Sequence, residues 1–291
     1  MDGSHVKGKN IPFELLVIAV LLLIALTVII PFCFILFGSF ATEKEFLSRG
    51  FFLFPREWTI EAFQYLMHND QFTSSFRNAV HITVFGTGLN IVLSTLMAYG
   101  LSQRKLKGRK FVNFLVIFSM IVHGGMIPTY LVVFNLGLID SYWAIWLVNA
   151  IAPFNLIVMR SYFQNLPVEI HESARMDGCG EWRLLASIIV PLSLPLLATF
   201  TLFYCVANWN TYFHAILYLN DSSKYPLQVF LRQMLIVNTS LLEMTENTGR
   251  YQYTPAVRNA AILLTALPLL VIYPFLQKYF KSGMLMGSVK G

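Results

Sequence analysis

Charged residues are scarce in this sequence of 291 residues. Asp, Glu, Lys and Arg together make up 12% of it, whereas hydrophobic residues make up 56%. Ordinary soluble domains carry about 25% charged residues, so a soluble fold of this composition would leave too much apolar surface in water. The composition therefore excludes an ordinary soluble protein and predicts one that is embedded largely in a lipid bilayer.

Cysteine is also scarce, and the motifs of several protein classes are missing. The three cysteines, Cys33, Cys179 and Cys205, are odd in number and widely spaced, which excludes a disulfide framework and a CxxC metal site. We expect neither a metal site nor catalytic residues in this chain. The net charge of +6 is not accompanied by a nucleic-acid-binding motif, so positive charge on cytoplasmic loops is the better explanation for it.

Long apolar runs are abundant, and each is long enough to cross a bilayer as a helix, which takes roughly 20 residues. They are longer and more continuous than the alternating strands of a membrane barrel. The first run is too long for a signal peptide, so we interpret it as a retained helix. The sequence thus predicts an all-α membrane protein with an N-terminal segment 1–12, a six-helix domain 13–280 and a tail 281–291. The six runs cover residues 13–40, 76–102, 111–135, 142–162, 188–219 and 257–280.

The distribution of basic residues predicts the orientation. The short segment 103–110 contains five of them, whereas segment 136–141 contains no Lys or Arg. Because short cytoplasmic loops are enriched in Lys and Arg, 103–110 is assigned to the cytoplasm and 136–141 to the outside. Counting crossings from there places both termini, and the loop between runs four and five, in the cytoplasm.

The centres of the six runs lack Asp, Glu, Lys and Arg. Ion-coupled transporters usually place ionisable groups there, so this absence argues against an ion-coupled secondary transporter of a small polar solute, which remains the alternative. An intramembrane enzyme would need a nucleophile–base pair or a metal cluster, and His81, His123 and His214 have no partnered carboxylate in the sequence pattern. A passive scaffold is the third alternative.

The segment 165–191, between runs four and five, is the most informative part of the sequence. Pro167 suits the first turn of a helix, and Glu169 and Glu172 complement the dipole at that end. Gly178 suits the left-handed residue that ends a helix, and a second helix is expected from about Glu181. The pattern predicts a short helix, a turn and another helix at the cytoplasmic face, suited to docking a cytoplasmic partner.

The spacing within this segment resembles the EAA loop of bacterial ABC importer permeases. Glu172-Ser-Ala-x-x-x-Gly178 is followed, after nine residues, by Ile188-x-Val190-Pro191, with Ser173 in place of Ala and Val190 in place of Leu. The resemblance implies that this loop couples the permease to an ATPase. The residues that it assigns to coupling are Glu169, Glu172, Ser173, Ala174, Met176, Asp177 and Gly178.

Other stretches resemble MalG-type carbohydrate permeases, including the closing segment 280–291, and 225–232 is similar to a subgroup for polysaccharide and alginate-oligosaccharide uptake. The resemblance implies a type I ABC importer (MetI-like) fold in the bacterial inner membrane. It also implies a second, non-identical permease, two ATP-binding subunits and an extracytoplasmic solute-binding protein. The sequence has no G-x-x-x-x-G-K-[ST] loop, so ATP and magnesium are expected on partner subunits.

The fifth run is rich in residues that suit a sugar. Aromatic rings can stack on sugar rings, and amides can bond their hydroxyls. Asn208 and Tyr212 would share one face of a continuous helix, since residues four apart are neighbours. The sequence does not name the sugar, but it predicts a substrate pathway that includes Asn208, Trp209, Asn210 and Tyr212.

Overall fold

The computed structural model describes the backbone of residues 11–244 and 254–288 and the side chains of residues 13–236 and 254–274. Within these ranges the secondary structure is helical, apart from an isolated antiparallel bridge between Ala41 and Trp58. The described residues fall into two compact units. One comprises those of Met1–Asn69 and Met234–Thr265, and the other those of Asp70–Gln233 and Ala266–Gly291.

The first unit begins with the apolar helix α1, whose most apolar stretch buries none of its side chains within the chain. Phe34, near its end, stacks on Phe51 with ring centroids 5.3 Å apart. Glu45 accepts hydrogen bonds from the backbone N–H of Arg56 at 3.0 Å, which ties the following loop to the second helix. The helices at the start of this unit are α1 (Ile11–Gly38), α2 (Glu43–Arg49) and α3 (Glu61–His68).

The second unit is built around α4 (Asp70–Ser102), which packs against α8 (Pro153–Gln164) and α12 (Leu194–Trp209). Its buried cluster includes Ala98, Leu156, Met159, Leu184 and Phe200. Successive helices are α4 (Asp70–Ser102), α5 (Arg109–Ile121), α6 (Met126–Asn135), α7 (Tyr142–Val148), α8 (Pro153–Gln164) and α9 (Val168–Met176).

The remaining helices are interrupted repeatedly. A π-helical segment, Leu185–Ile189, joins the helix Glu181–Leu184 to the helix Val190–Leu192, and a 3₁₀ turn, Ser222–Lys224, precedes the helix that begins at Leu227. The helices are α10 (Glu181–Leu184), α11 (Val190–Leu192), α12 (Leu194–Trp209), α13 (Phe213–Tyr218), α14 (Leu227–Met244) and α15 (Pro255–Ser288). Because α15 extends to Ser288, the first part of the predicted tail 281–291 has a helical backbone, and residues 289–291 lie outside the described residues, as do residues 1–10 of the predicted N-terminal segment.

By length and composition, three helices in the described ranges can each cross a membrane, namely Phe13–Gly38, Asp70–Ser102 and Pro255–Pro274. Two bent pairs raise the number to five, with bends of 53° between α7 and α8 and 84° between Glu181–Leu192 and Leu194–Trp209. The predicted run 111–135 is divided between α5 and α6, where Gly125 adopts φ 84°. Helix α5 ends at Ile121, Val122 is already extended, and Gly125 directly precedes α6, so this continuous apolar run does not form one helix.

Candidate functional site

The segment after α8 forms the helix, turn and helix that its sequence predicts. Helix α9 ends at a turn in which the N–H of Gly178 donates to the carbonyl of Arg175 and that of Cys179 to the carbonyl of Ala174, both at 3.0 Å. Gly178 adopts φ 75°. These paired bonds around a left-handed glycine form a Schellman motif. The direction of the chain after α9 is therefore fixed by backbone hydrogen bonds.

Helix α9 has one buried face and one exposed face. Ala174 is 4% exposed and belongs to the core cluster with Leu184. Met176, in contrast, is 87% exposed, and Trp182 in the next helix is 75% exposed. The other residues predicted for coupling are exposed as well: Glu169, Glu172, Ser173, Asp177 and Gly178. Met and Trp are enriched at protein interfaces, so the exposed Met176 and Trp182 side chains suit contact with a partner.

A polar clamp links this segment to α4. The hydroxyl of Tyr99 donates to Glu181 Oε2 at 2.8 Å, and Arg175 donates to Glu181 Oε1 from Nε at 3.0 Å and from Nη2 at 2.8 Å. We use "clamp" for Tyr99, Arg175 and Glu181. The sequence gives no local signal for the clamp, because Tyr99 lies at the end of an apolar run, far along the chain from Glu181.

The clamp borders a cavity of about 700 Å³ beside α9, to which Lys105 and Glu172 also contribute. The ring of His171 stacks on that of Tyr99, with centroids 6.4 Å apart. Burial and the nearby guanidinium of Arg175 lower the pKa of His171 below its usual value, which favours the neutral imidazole.

A second cavity, of about 890 Å³, lies between the ends of α7, α8 and α12. Of the predicted pathway residues, Asn208, Asn210 and Tyr212 line it. Trp209 is 4% exposed and meets the ring of Phe76 edge-on at 5.9 Å, away from the cavity lining. Helix α12 ends at Trp209, so Asn208 and Tyr212 do not share a helix face as the sequence predicts, but meet at the cavity through the break before α13.

Buried polar side chains support the break between α7 and α8 at the cavity wall. Asn90 Nδ2 donates to the carbonyls of Asn149 at 2.7 Å and Ala150 at 2.9 Å. Asn208 Nδ2 donates to Asn90 Oδ1 at 2.8 Å. Since unpaired backbone groups are costly in a membrane, a broken helix needs such partners. Asn90 is the signal for this site in the sequence, because it is an amide in the middle of a mostly apolar run.

Tyr204 completes this support from α12. Its hydroxyl accepts a hydrogen bond from the N–H of Ala152 at 3.2 Å and lies 2.7 Å from Ser94 Oγ. The lining contains no Asp, Glu, Lys or Arg, and its two histidines are His123 and His214. The cavity can therefore bond a polar, uncharged group through amides, hydroxyls and imidazoles while aromatic rings cover apolar faces.

A third polar cluster holds the loop after α13. Asp140 Oδ1 accepts from the N–H groups of Asn220 and Asp221, both at 3.0 Å, and Lys224 pairs with Asp140 Oδ2. The ammonium group of Lys224 and the N–H of Asp221 lower the pKa of Asp140 to about 2. Asp140 adopts φ 61°, a conformation uncommon for a residue with a Cβ.

The described residues include no cluster of three or more His, Cys, Asp or Glu side chains able to hold a metal ion. The second unit thus contains two candidate functional features. One is the exposed helix α9, whose following segment is held to α4 by the clamp, and the other is the polar cavity beside Asn90 of α4.

Comparison with known proteins agrees with these features. The model of the family described as "Binding-protein-dependent transport system inner membrane component" matches residues 90–286. The polygalacturonan/rhamnogalacturonan transport system permease protein YtcP of Bacillus subtilis (strain 168) is 47% identical over 285 residues, which cover 97% of this chain and 100% of YtcP. Protein LplC of the same organism is 49% identical over 265 residues, 90% of each chain.

A solved structure is similar along almost its full length. It is a chain of a bacterial ABC transporter involved in the import of the acidic polysaccharide alginate, with a TM-score of 0.85 and 30% sequence identity. The match covers 94% of this chain and 98% of that chain. The spaced pattern at 172–191 predicted this kinship, and the prediction is confirmed: the chain belongs to the family of binding-protein-dependent transport system inner membrane components.

Proposed function

We propose that this chain is one permease subunit of an ATP-driven, binding-protein-dependent importer of an oligosaccharide. The observation that carries the proposal is α9, a short helix with an exposed outer face and a rigid Schellman end. Its residues Glu169, Glu172, Ser173, Met176, Asp177 and Gly178 would contact an ATP-binding subunit, and Ala174 would hold the helix to the core. ATP and magnesium would be bound by two such partner subunits.

We propose that the chain crosses the inner membrane six times, with both termini in the cytoplasm. The three long helices would supply three crossings and the two bent pairs, each taken as one span, two more. The sixth would be α5 and α6 together, joined through the break at Gly125. This arrangement puts 103–110, with its five basic residues, on the same side as α9.

The cavity lined by Asn208, Asn210 and Tyr212 would be this chain's part of the sugar path, shared with a second, non-identical permease. Its amides and aromatic rings suit the hydroxyls and apolar faces of sugars. The similarity to proteins named for polygalacturonan/rhamnogalacturonan transport and alginate import favours an oligosaccharide that contains uronic acids. Because the lining has no basic side chain, the carboxylates would be balanced outside this part of the path.

The test is uptake by the complete transporter in proteoliposomes, with its binding protein outside and ATP inside. We expect ATP-dependent uptake of uronate oligosaccharides and none with a non-hydrolysable ATP analogue. The same assay with a neutral oligosaccharide of equal length tests whether uptake requires the acidic groups of the substrate. Uptake that is driven by an ion gradient without ATP would contradict the proposal and favour a secondary transporter.

A further inference from the structure

The clamp joins α9, which docks the ATP-binding subunit in the proposed function, to α4, which reaches the wall of the polar cavity. Arg175 lies on α9 and Glu181 begins the next helix, whereas Tyr99 lies near the end of α4. One carboxylate therefore receives hydrogen bonds from both sides, at 2.8 Å from Tyr99 and at 2.8 and 3.0 Å from Arg175.

Burial differs within the clamp. Tyr99 is 6% exposed and packs edge-on against Phe163, with ring centroids 6.4 Å apart. The Arg175 and Glu181 side chains are 39% and 54% exposed. An exposed ion pair alone contributes little to stability. A buried hydroxyl that donates to a carboxylate, in contrast, fixes the position of that carboxylate, because charge-assisted hydrogen bonds are short and directional.

From the clamp, α4 leads to the wall of the polar cavity. Asn90 and Tyr99 lie on the same uninterrupted helix, about 13.5 Å apart along its axis at 1.5 Å per residue. Asn90 bonds the carbonyls of Asn149 and Ala150 and the amide of Asn208. A continuous path of hydrogen bonds and one rigid helix thus connects α9 to the cavity wall.

We propose that Tyr99, Arg175 and Glu181 are positioning residues that transmit the movement of α9 to α4 and so link ATP hydrolysis to opening of the cavity. This inference rests on the proposed function and assigns a role to residues outside the α9 docking face. The clamp acts between α9 and α4, so its loss would leave the docking face intact and separate hydrolysis from transport.

The experiment uses the complete transporter, with its ATP-binding subunits and binding protein, reconstituted in proteoliposomes. Tyr99→Phe removes only the hydroxyl donor, and Arg175→Ala removes the donor on α9. Arg183→Ala is the matched control, because Arg183 is exposed, lies in the same short helix as Glu181 and has no ion pair among the described residues. The ATP-binding subunit content, the rate of ATP hydrolysis and the sugar imported per ATP hydrolysed are measured for each variant.

We expect Tyr99→Phe and Arg175→Ala to lower the sugar imported per ATP by about fivefold or more, the lower end of typical coupling between sites. Subunit content and hydrolysis should stay near wild type, and Arg183→Ala should match wild type in all three measurements. Because both changes act through Glu181, the double variant should lose little more than either single variant.

Two results would overturn the inference. One is wild-type import per ATP in both clamp variants. The other is a loss of uptake that only follows a loss of bound ATP-binding subunit, which would assign the clamp to folding or docking. A wild-type transporter that imports no sugar with ATP would overturn the proposed function, and the clamp's role with it.

Discussion

Gly178 lies at the turn that sets the direction of the chain after α9. It adopts φ 75°, and a Cβ added there would meet no atom within 4 Å. A substitution is therefore opposed by backbone strain and not by a clash. Left-handed conformation costs residues with a Cβ roughly 1–2 kcal/mol, and Asn tolerates it best.

We predict that Gly178→Val misplaces α9 and weakens co-purification of the ATP-binding subunit, while Gly178→Asn retains most of it. The loss of co-purified ATP-binding subunit in Gly178→Val should reflect a backbone strain of about 1–2 kcal/mol. Membrane insertion, measured by the amount of permease in the membrane fraction, should be unchanged in both. Equal co-purification of wild type and Gly178→Val would show that the turn does not position the helix.

Glu172 provides the complementary test of the docking face, because it is exposed on α9 and the described structure gives it no ion pair. A carboxylate there can accept a bidentate pair from an arginine of the partner. We predict that Glu172→Lys weakens recruitment of the ATPase, by up to roughly 3–5 kcal/mol if the pair is buried on docking. Glu172→Gln should weaken it less, and wild-type recruitment by Glu172→Lys would remove Glu172 from the interface.

Asp140 combines an uncommon backbone conformation with the bonds that hold Asn220 and Asp221. Its pKa is lowered from 3.8 to about 2 by Lys224 and the backbone N–H of Asp221. A lowered pKa means that the folded state favours the charged form. The ion pair therefore adds stability above pH 3.8 and loses it as the pH falls towards about 2.

We predict that Asp140→Asn keeps the amides of Asn220 and Asp221 protected from hydrogen exchange, because the Asn side chain retains an acceptor and tolerates φ 61°. Asp140→Ala lacks the acceptor and tolerates φ 61° less well, so both amides should exchange faster. In Asp140→Asn, the contribution of this ion pair to acid sensitivity should disappear. Equal exchange in the Ala and Asn variants would contradict the assigned role of the Asp140 carboxylate.

At the scale of single residues, the sequence was informative wherever local chemistry decides the structure. Gly178 could be predicted because a glycine after a short helix has one common use. Tyr99 and Glu181 could not, because their contact depends on how α4 and α10 meet. The residue type of Trp209 places it in the predicted pathway, and its contact with Phe76 on α4 could not be predicted because it depends on how α4 and α12 pack.

At the scale of helices, the main departure from the sequence-based prediction is that apolar runs are broken. The run 142–162 becomes α7 and α8 with a 53° bend, because Pro153 starts a new helix and Asn90 bonds the carbonyls freed at 149 and 150. Proline marks the possible break in the sequence. The partner that makes the break tolerable comes from another helix and cannot be read from the run itself.

Close packing of α4 against α12 gives a prediction with a matched control. A Cβ on Gly86 would lie 2.9 Å from Asn208 Oδ1, whereas one on Gly88 would meet nothing within 4 Å. Asn208 cannot move aside freely, because it bonds Asn90 and Thr87.

We therefore predict that Gly86→Ala destabilises the purified permease by about 1–3 kcal/mol, the usual cost of overpacking. Gly88→Ala should leave stability unchanged or slightly higher. Thermal unfolding in detergent, followed by tryptophan fluorescence, measures both. A Gly86→Ala protein as stable as Gly88→Ala would mean that the two helices separate easily at Asn208.

At the scale of the whole molecule, the family could be predicted from the sequence because its signature is a spaced local pattern, Glu172 to Pro191. The number of membrane crossings is harder to predict from the sequence. The described helices give three spans, or five with the bent pairs, and the interruption at Gly125 separates α5 from α6. Composition reports how apolar a run is, but not whether its backbone continues as one helix.

Orientation is the property of the whole molecule on which the docking proposal depends. The five basic residues of 103–110 predict that this loop and α9 share the cytoplasmic side.

We predict that a single cysteine at Lys107 reacts with a membrane-impermeant maleimide only after the membrane is opened, whereas one at Leu136 reacts in intact cells. Leu136 is suitable because it is 64% exposed at the end of α6. The background variant lacks Cys33, Cys179 and Cys205, so that each label reports one site. The reverse labelling pattern would place α9 on the side without ATP, and docking of an ATP-binding subunit to Glu172 would then be impossible.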